Sequence, residues 1–107
     1  MMYLDEIRDY CLSLPDVEEC LPFGPNHLVF KRKLKMFLLV GMEDHPIRFN
    51  VKCDPERAIA LREAYPDTIM PGYHMNKKHW NTVHVDGRLP ASQLQEFILH
   101  SYNLVKK

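Results

Sequence analysis

A polar run from Tyr73 to Thr82 holds the side chains of this chain that are best suited to chemistry. Nine of its ten residues carry a side-chain hydrogen-bonding group, and among them are two lysines, two histidines and the only tryptophan. These residue types contact phosphates, bases and peptide carbonyls. Since buried polar groups need partners, the run cannot all lie in a core. The run therefore predicts a binding site, and the residue types leave its ligand open.

A pocket built around this run is one hypothesis for the site. Its lining would consist of Tyr73, His74, Asn76, His79, Trp80 and Asn81. The Pro71-Gly72 turn would hold the loop, and the ligand would be a small molecule or a segment of a partner protein. Trp80 also fits a core position with its indole N–H satisfied.

Basic residues gather in two places. Lys31, Arg32, Lys33 and Lys35 surround a predicted hairpin tip, whereas Lys77, Lys78 and His79 lie in a later connection. Basic hairpins can follow a phosphate backbone while neighbouring polar side chains reach the bases. Hairpin tips are also rich in lysine because they are solvated, so the residues alone leave both interpretations open.

Metal and covalent chemistry have little support. His74, His79 and His84 recur at intervals of five residues, which suit neither a helical pair nor one face of a strand. Cys20 and Cys53 are isolated, so we predict no metal site and no cofactor. Cys53 is predicted to be a buried structural thiol. Because no hydrolase, phosphate-loop or dinucleotide motif is present, we also predict that the protein is not an enzyme.

Composition indicates a single domain over residues 1–107. Net charge is zero and 46% of the residues are apolar, which is ordinary for a globular protein. No apolar run reaches the roughly 18–20 residues that span a bilayer, so we predict no membrane association. Three cysteines without a C-x-x-C arrangement fit reduced thiols in the cytoplasm. The charge is uneven, with a net −5 over residues 1–20 and +4 over residues 21–53.

Periodicity predicts the elements in the order α-β-β-β-α-β-α. The helices are predicted over residues 3–13, from Asp54 to about Tyr65, and from Pro90 to about Val105; the strands over 27–31, 35–40, 47–53 and 80–85. The inner face of the last helix is predicted to consist of Leu94, Phe97, Ile98, Tyr102 and Val105. Residues 20–25 and the Pro71-Gly72 pair are predicted turns. This order predicts an α+β domain with an antiparallel sheet and its helices packed on one face. Arg48, Asn50 and Lys52 would alternate onto the other face.

Several motifs resemble those of the MmcQ/YjbR family of small bacterial proteins. They are Pro71 to Val83, Cys11 to Pro15, Pro22 to Gly24, Val29 to Lys31, Lys35 to Phe37, Lys52 to Glu56 and Asp86 to Pro90. The resemblance covers essentially the whole chain. It implies a CyaY-like (frataxin-like) two-layer sandwich, and a DNA-binding role through a "double wing" of two hairpins. It implies no catalytic residues.

Together these observations favour a weak DNA-binding module. The phosphate contacts are predicted to come from Lys31, Arg32, Lys33 and Lys35, and the surface to be extended by Arg48, Asn50, Lys52, Lys77, Lys78 and His79. Two alternatives remain. One is the protein-interaction or ligand pocket at residues 71–82, and the other is frataxin-like iron binding through Asp5, Glu6 and Asp9 on the first helix.

Overall fold

The computed structural model describes residues 3–72 and 75–105. Its elements in chain order are α1 (Leu4–Ser13), β1 (Val17–Cys20), β2 (His27–Arg32), β3 (Lys35–Gly41), β4 (Arg48–Lys52), α2 (Pro55–Ala64), β5 (Ile69–Pro71), β6 (Trp80–His84) and α3 (Ala91–Leu104). The predicted α+β class is confirmed. No helix within these ranges is long and apolar enough to cross a membrane.

The strands form one antiparallel sheet in the order β1-β2-β3-β4-β6-β5. Val51 in β4 lies opposite Leu38 of β3 and Asn81 of β6, which fixes the register of the three central strands. α3 packs across β3 and β4. There the buried Ser101 hydroxyl accepts a hydrogen bond from the Lys52 N–H at 2.8 Å and donates one to the Phe37 carbonyl at 2.5 Å. These bonds hold the helix against the sheet.

Two strands of the sheet, β1 and β5, were not predicted from the sequence. β1 is a four-residue edge strand whose last residue, Cys20, had been predicted to begin a turn. Its half-buried Glu19 pairs with Arg8 of α1. β5 has three residues and ends at Pro71, which had indicated a turn. Proline is tolerated on edge strands because it has no ladder hydrogen bond to donate there. The observed order is therefore α-β-β-β-β-α-β-β-α.

The β2–β3 hairpin has a tight tip and a bulge. Lys33 and Leu34 both have positive φ angles, 48° and 73°. A two-residue hairpin turn requires such angles when it follows the twist of the strands. Lys31 lies opposite Met36 while Phe30 lies opposite Leu38, which leaves Phe37 as an extra residue in β3. The Phe37 ring points toward α3, with its centroid 5.5 Å from that of Tyr102.

The core lies between the helices and one side of the sheet. Phe49 and Val51 of β4 are buried in it, whereas the alternate residues Arg48, Asn50 and Lys52 are half-buried, which confirms the predicted alternation. The predicted inner face of α3 is buried at every predicted position, namely Leu94, Phe97, Ile98, Tyr102 and Val105. We call the side of the sheet away from this core the outer side.

The beginning of α2 is also confirmed. The Asp54 carboxylate accepts a hydrogen bond from the Glu56 N–H at 3.1 Å, and Pro55 is the first helical residue. Cys53, just before it, is buried as predicted, and burial raises the pKa of its thiol.

Candidate functional site

One end of the sheet collects lysines from three separate segments. Because neighbouring strands are antiparallel, the β2–β3 tip, the end of β4 and the beginning of β6 lie at the same end. We call the lysines there the lysine edge: Lys31, Lys33, Lys35, Lys52, Lys77 and Lys78. Strands are about 4.8 Å apart, so the three steps from β2 to β6 cover roughly 14 Å. The lysine edge is a row of charges and not a point.

Carboxylates neutralise part of this row. The Asp16 carboxylate lies 3.9 Å from the Lys33 ammonium, and Glu18 lies opposite Lys31 in the β1–β2 register. Lys35, Lys77 and Lys78 are exposed and have no ion-pair partner in residues 3–72 and 75–105. The strongest positive charge of the edge is therefore at these three positions.

Arg32 is a correction to the predicted phosphate contacts. Arg32 is only 9% exposed, and its guanidinium carbon lies 4.0 Å from the centroid of the Tyr102 ring. One guanidinium nitrogen also donates to the Tyr102 carbonyl at 3.4 Å. Along β2, Arg32 alternates with Lys31 and lies on the same side of the sheet as the core residues Leu28 and Phe30, toward α3. Arg32 is thus used in packing and is removed from the candidate interface.

Arg48 and Asn50 lie apart from the lysine edge. Arg48 is at the opposite end of β4, four residues or roughly 13 Å from Lys52. Its guanidinium pairs with the Asp44 carboxylate at 3.2 Å. Asn50 lies between them and accepts a hydrogen bond from the Thr82 hydroxyl at 2.5 Å. Of the ten predicted contact residues, seven therefore lie at or beside the lysine edge, Arg48 and Asn50 lie away from it, and Arg32 is buried.

The polar run is held in place by Arg62 of α2. Its guanidinium donates to the Asn81 side-chain oxygen at 2.7 Å and to the carbonyls of Lys77 and Trp80. Asn81 is only 1% exposed, and its amide donates to the Ala58 carbonyl at 3.4 Å. Asn81 therefore belongs to the support of the loop and cannot line an open pocket. Sequence reasoning missed Arg62, since a single basic residue on a helix carries no signal of a distant partner.

Three of the predicted pocket residues do share an open groove. It has a volume of about 500 Å³ and is lined by Lys52, Cys53, Asp54, Pro55, Asn76, His79, Trp80 and Leu104. Trp80 is 6% exposed, with the Lys52 ammonium 5.7 Å from its ring centroid, so little of its surface is open to the groove. Tyr73 and His74 lie outside the described residues.

Gly72 allows the chain to pass close to Trp80. Its N–H donates to the Trp80 carbonyl at 2.9 Å, and a Cβ at this position would lie 2.7 Å from the Trp80 Cβ. Real Cβ contacts are not this short, so the glycine is required for this approach. The close pairing places Lys77 and Lys78 directly before β6.

A second concavity lies on the outer side of the sheet. It has a volume of about 310 Å³ and is lined by Phe23, His27, Leu39, Gly41, Asp44, Arg48, Asn50, Met75 and Thr82. We call it the outer cleft. The sequence placed Arg48 and Asn50 on this side of the sheet but did not predict a cleft, because its lining comes from five separate segments of the chain.

The acidic residues of α1 have local roles. The Glu6 carboxylate accepts from the Tyr3 N–H at 3.1 Å, and the Asp5 carboxylate accepts from the Glu6 N–H at 3.0 Å. Asp9 is exposed. Across residues 3–72 and 75–105, no group of three or more His, Cys, Asp or Glu side chains is arranged to hold a metal ion. Iron binding through α1 stays a prediction.

Fold and surface together define a small α+β domain with a basic sheet end and a cleft on the outer side of its sheet. The chain belongs to the YjbR family, whose model matches residues 12–104. It is 44% identical over 95 residues to the uncharacterized protein YbdF of Escherichia coli O157:H7, covering 88% of this chain and 76% of that protein. It is 32% identical over 101 residues to the uncharacterized protein YjbR of Escherichia coli K12, covering 94% and 85%.

Solved structures show the same fold. The Deinococcus radiodurans protein DR2400, a DUF419 domain, superposes with a TM-score of 0.94 at 45% identity, over 100% of this chain and 80% of that one. A Pseudomonas syringae protein superposes with a TM-score of 0.81 at 27% identity, over 98% of this chain and all of that one. These likenesses confirm the expected family and the α+β architecture.

Proposed function

We propose that this protein is a non-catalytic DNA-binding domain that contacts phosphates through the lysine edge. The observation that carries the proposal is the gathering of lysines from three segments at one end of the sheet, in a chain of zero net charge. A local row of cations attracts a polyanion even where the whole molecule has no excess charge.

The exposed lysines would act as positioning contacts. Lys35, Lys77 and Lys78 would pair with successive phosphates, and Lys33 would join them by exchanging Asp16 for phosphate. Asn76 and His79 in the adjoining groove could hydrogen-bond to sugar or base edges. Such an interface recognises DNA mainly through the charge of its phosphates, so we expect weak binding with little sequence preference.

The thiols support a role without covalent catalysis. Burial raises the pKa of Cys11 to about 12, and it also raises the pKa of Cys53. Both thiols are therefore protonated at neutral pH, whereas a nucleophilic cysteine requires the thiolate.

A salt titration on duplex DNA tests the proposal. About four phosphate contacts should make the logarithm of the association constant fall with the logarithm of salt concentration at a slope of roughly −3 to −4. Fluorescence anisotropy of a labelled duplex, measured at several salt concentrations, gives this slope. No binding at low salt, or binding that salt does not weaken, would contradict the proposal.

A pair of single substitutions locates the interface. Lys78→Gln should make the salt slope shallower by roughly 0.9, the value of one phosphate contact. Arg88→Gln removes one charge from an exposed position beyond the opposite end of β6 and serves as the matched control. Equal effects of the two substitutions would show that binding is not directed by the lysine edge.

A further inference from the structure

The floor of the outer cleft is formed by three paired strands. Leu39, Asn50 and Thr82 lie opposite one another in a single row across β3, β4 and β6. Phe23 from the β1–β2 connection and Met75 from the segment before β6 also line the cleft, and Asp44 reaches it from the β3–β4 connection. The floor is held by strand pairing, so the cleft exists before any ligand enters.

Asn50 presents a hydrogen-bond donor to this cleft. Its side-chain oxygen accepts from the Thr82 hydroxyl at 2.5 Å, which sets the orientation of the amide. One amide N–H approaches the Leu39 carbonyl at 3.5 Å, beyond the ordinary N–H···O range of roughly 2.7–3.2 Å. The second amide hydrogen has no acceptor in the described part of the chain. A ligand acceptor atom can therefore bind it.

Asp44 presents an acceptor. One carboxylate oxygen receives the Arg48 guanidinium N–H at 3.2 Å, and the other has no donor among residues 3–72 and 75–105. A side chain at Gly41 would collide with this carboxylate, so glycine is what lets Asp44 lie against the sheet. Because Arg48 balances the charge of Asp44, the cleft favours an uncharged ligand.

Apolar side chains complete the cleft. Phe23 is 62% exposed, so its ring is open to a ligand, and Leu39 and Met75 also line the space. The volume of about 310 Å³ equals that of roughly ten liquid waters, at about 30 Å³ each. This space suits a molecule of one or two rings.

We propose that the outer cleft binds a planar, uncharged nitrogen heterocycle of the nucleobase type. Such a ring would stack on Phe23 and contact Met75, and its polar edge would offer an acceptor to Asn50 and a donor to Asp44. Asparagine pairs with a nucleobase edge of this kind in many complexes. The ring belongs either to a free nucleoside or to an unpaired base of a single strand. Neither source requires the lysine edge.

The test is a titration of the ¹⁵N-labelled protein with adenosine, followed by amide chemical shifts. Adenosine should shift amides near Leu39, Asn50 and Thr82, whereas ribose, which lacks the ring, should not. Phe23→Ala should weaken binding by roughly 5- to 150-fold, the loss expected for one base–aromatic stack. Asn50→Asp keeps the acceptor for Thr82 and removes the donor, and should weaken binding roughly fivefold.

Leu21→Ala is the matched control, because Leu21 is an exposed apolar residue of the same connection that lines a different groove. It should leave adenosine binding unchanged. Equal losses in Leu21→Ala and Phe23→Ala would overturn the proposal.

A second arm distinguishes the two sources of the ring. Adenosine and a short single-stranded oligoadenylate are each titrated into the normal protein and into a variant that carries Lys35→Gln, Lys77→Gln and Lys78→Gln. Shifts at the cleft with adenosine in both proteins identify a free-nucleoside site. Shifts at the cleft with the oligonucleotide alone identify an unpaired base. No shift at the cleft with either probe overturns the proposal, and it leaves the duplex salt titration to decide the lysine edge separately.

Discussion

His100 shows how one residue makes the stability of this fold depend on pH. Its Nε2 accepts a hydrogen bond from the Asp54 N–H at 3.2 Å, which joins α3 to the beginning of α2. Only the neutral imidazole can accept this bond. Burial lowers the pKa of His100 from its ordinary value of 6.5, and the nearby Arg57 lowers it further.

The sign of the pH dependence follows from this lowered pKa. As pH falls below about 6.5, the unfolded chain binds a proton at His100 before the folded protein does. The contribution of neutral His100 to stability is therefore lost as pH falls from about 6.5 through the lower pKa that His100 has in the folded protein. We expect His100→Gln, which cannot titrate, to show a smaller fall in unfolding free energy between about pH 7.5 and 5. Urea unfolding at both pH values measures this. Equal falls in the two proteins would exclude His100 as the cause.

At the scale of elements, α2 positions the end of the lysine edge. Arg62 connects this helix to the carbonyls of Lys77 and Trp80 and to the buried Asn81. The segment before β6 has little apolar surface of its own to bury, because its residues from Asn76 to His79 are exposed. Its conformation therefore depends on these charge-assisted hydrogen bonds.

Arg62→Met should lower the free energy of unfolding by roughly 1.5–3 kcal/mol, since it removes hydrogen bonds from a charged donor and leaves Asn81 under-satisfied. Arg57→Met on the same helix removes a surface pair with Glu96 and should cost less than about 1 kcal/mol. Denaturant unfolding of both variants makes the comparison. A cost for Arg62→Met no larger than that for Arg57→Met would refute the supporting role.

At the scale of the whole molecule, the apolar core and the outer cleft lie on opposite sides of the sheet. The apolar core fills the helix side, and the outer side carries the cleft between half-buried polar residues. Charge is segregated as well, since a chain of zero net charge presents a row of lysines at one end of its sheet. We therefore expect exposed residues of the outer cleft to tolerate substitution without disturbing the core.

Two phenylalanines test this separation. Phe49→Ala removes a fully buried ring from the central strand β4 and should cost roughly 3–5 kcal/mol. Phe23→Ala removes an exposed ring and should change the free energy of unfolding by less than about 0.5 kcal/mol. Thermal and denaturant unfolding give both values. A large loss in Phe23→Ala would mean that this ring is part of the fold and not of a ligand site.

Local patterns in the sequence were sufficient for much of the architecture. Strict alternation identified β4, the Asp54-Pro55 pair identified the beginning of α2, and helical spacing identified the buried face of α3. Each of these is decided by residues within a few positions of one another. The family resemblance was likewise readable from the chain alone, because it rests on motifs in order.

Long-range packing decided the rest. β1 and β5 are strands because a neighbouring strand pairs with them, and their own residues carry little preference. Arg32 is buried because Tyr102 of α3 packs against its guanidinium, and Asn81 is held in place by Arg62 from another element. The amino-acid sequence alone predicted seven of the nine described elements, the family and the segments in which lysines are dense. Which lysines share an edge, and whether a cleft forms, could not be predicted from local patterns, because strand order and register bring together residues that are distant in the chain.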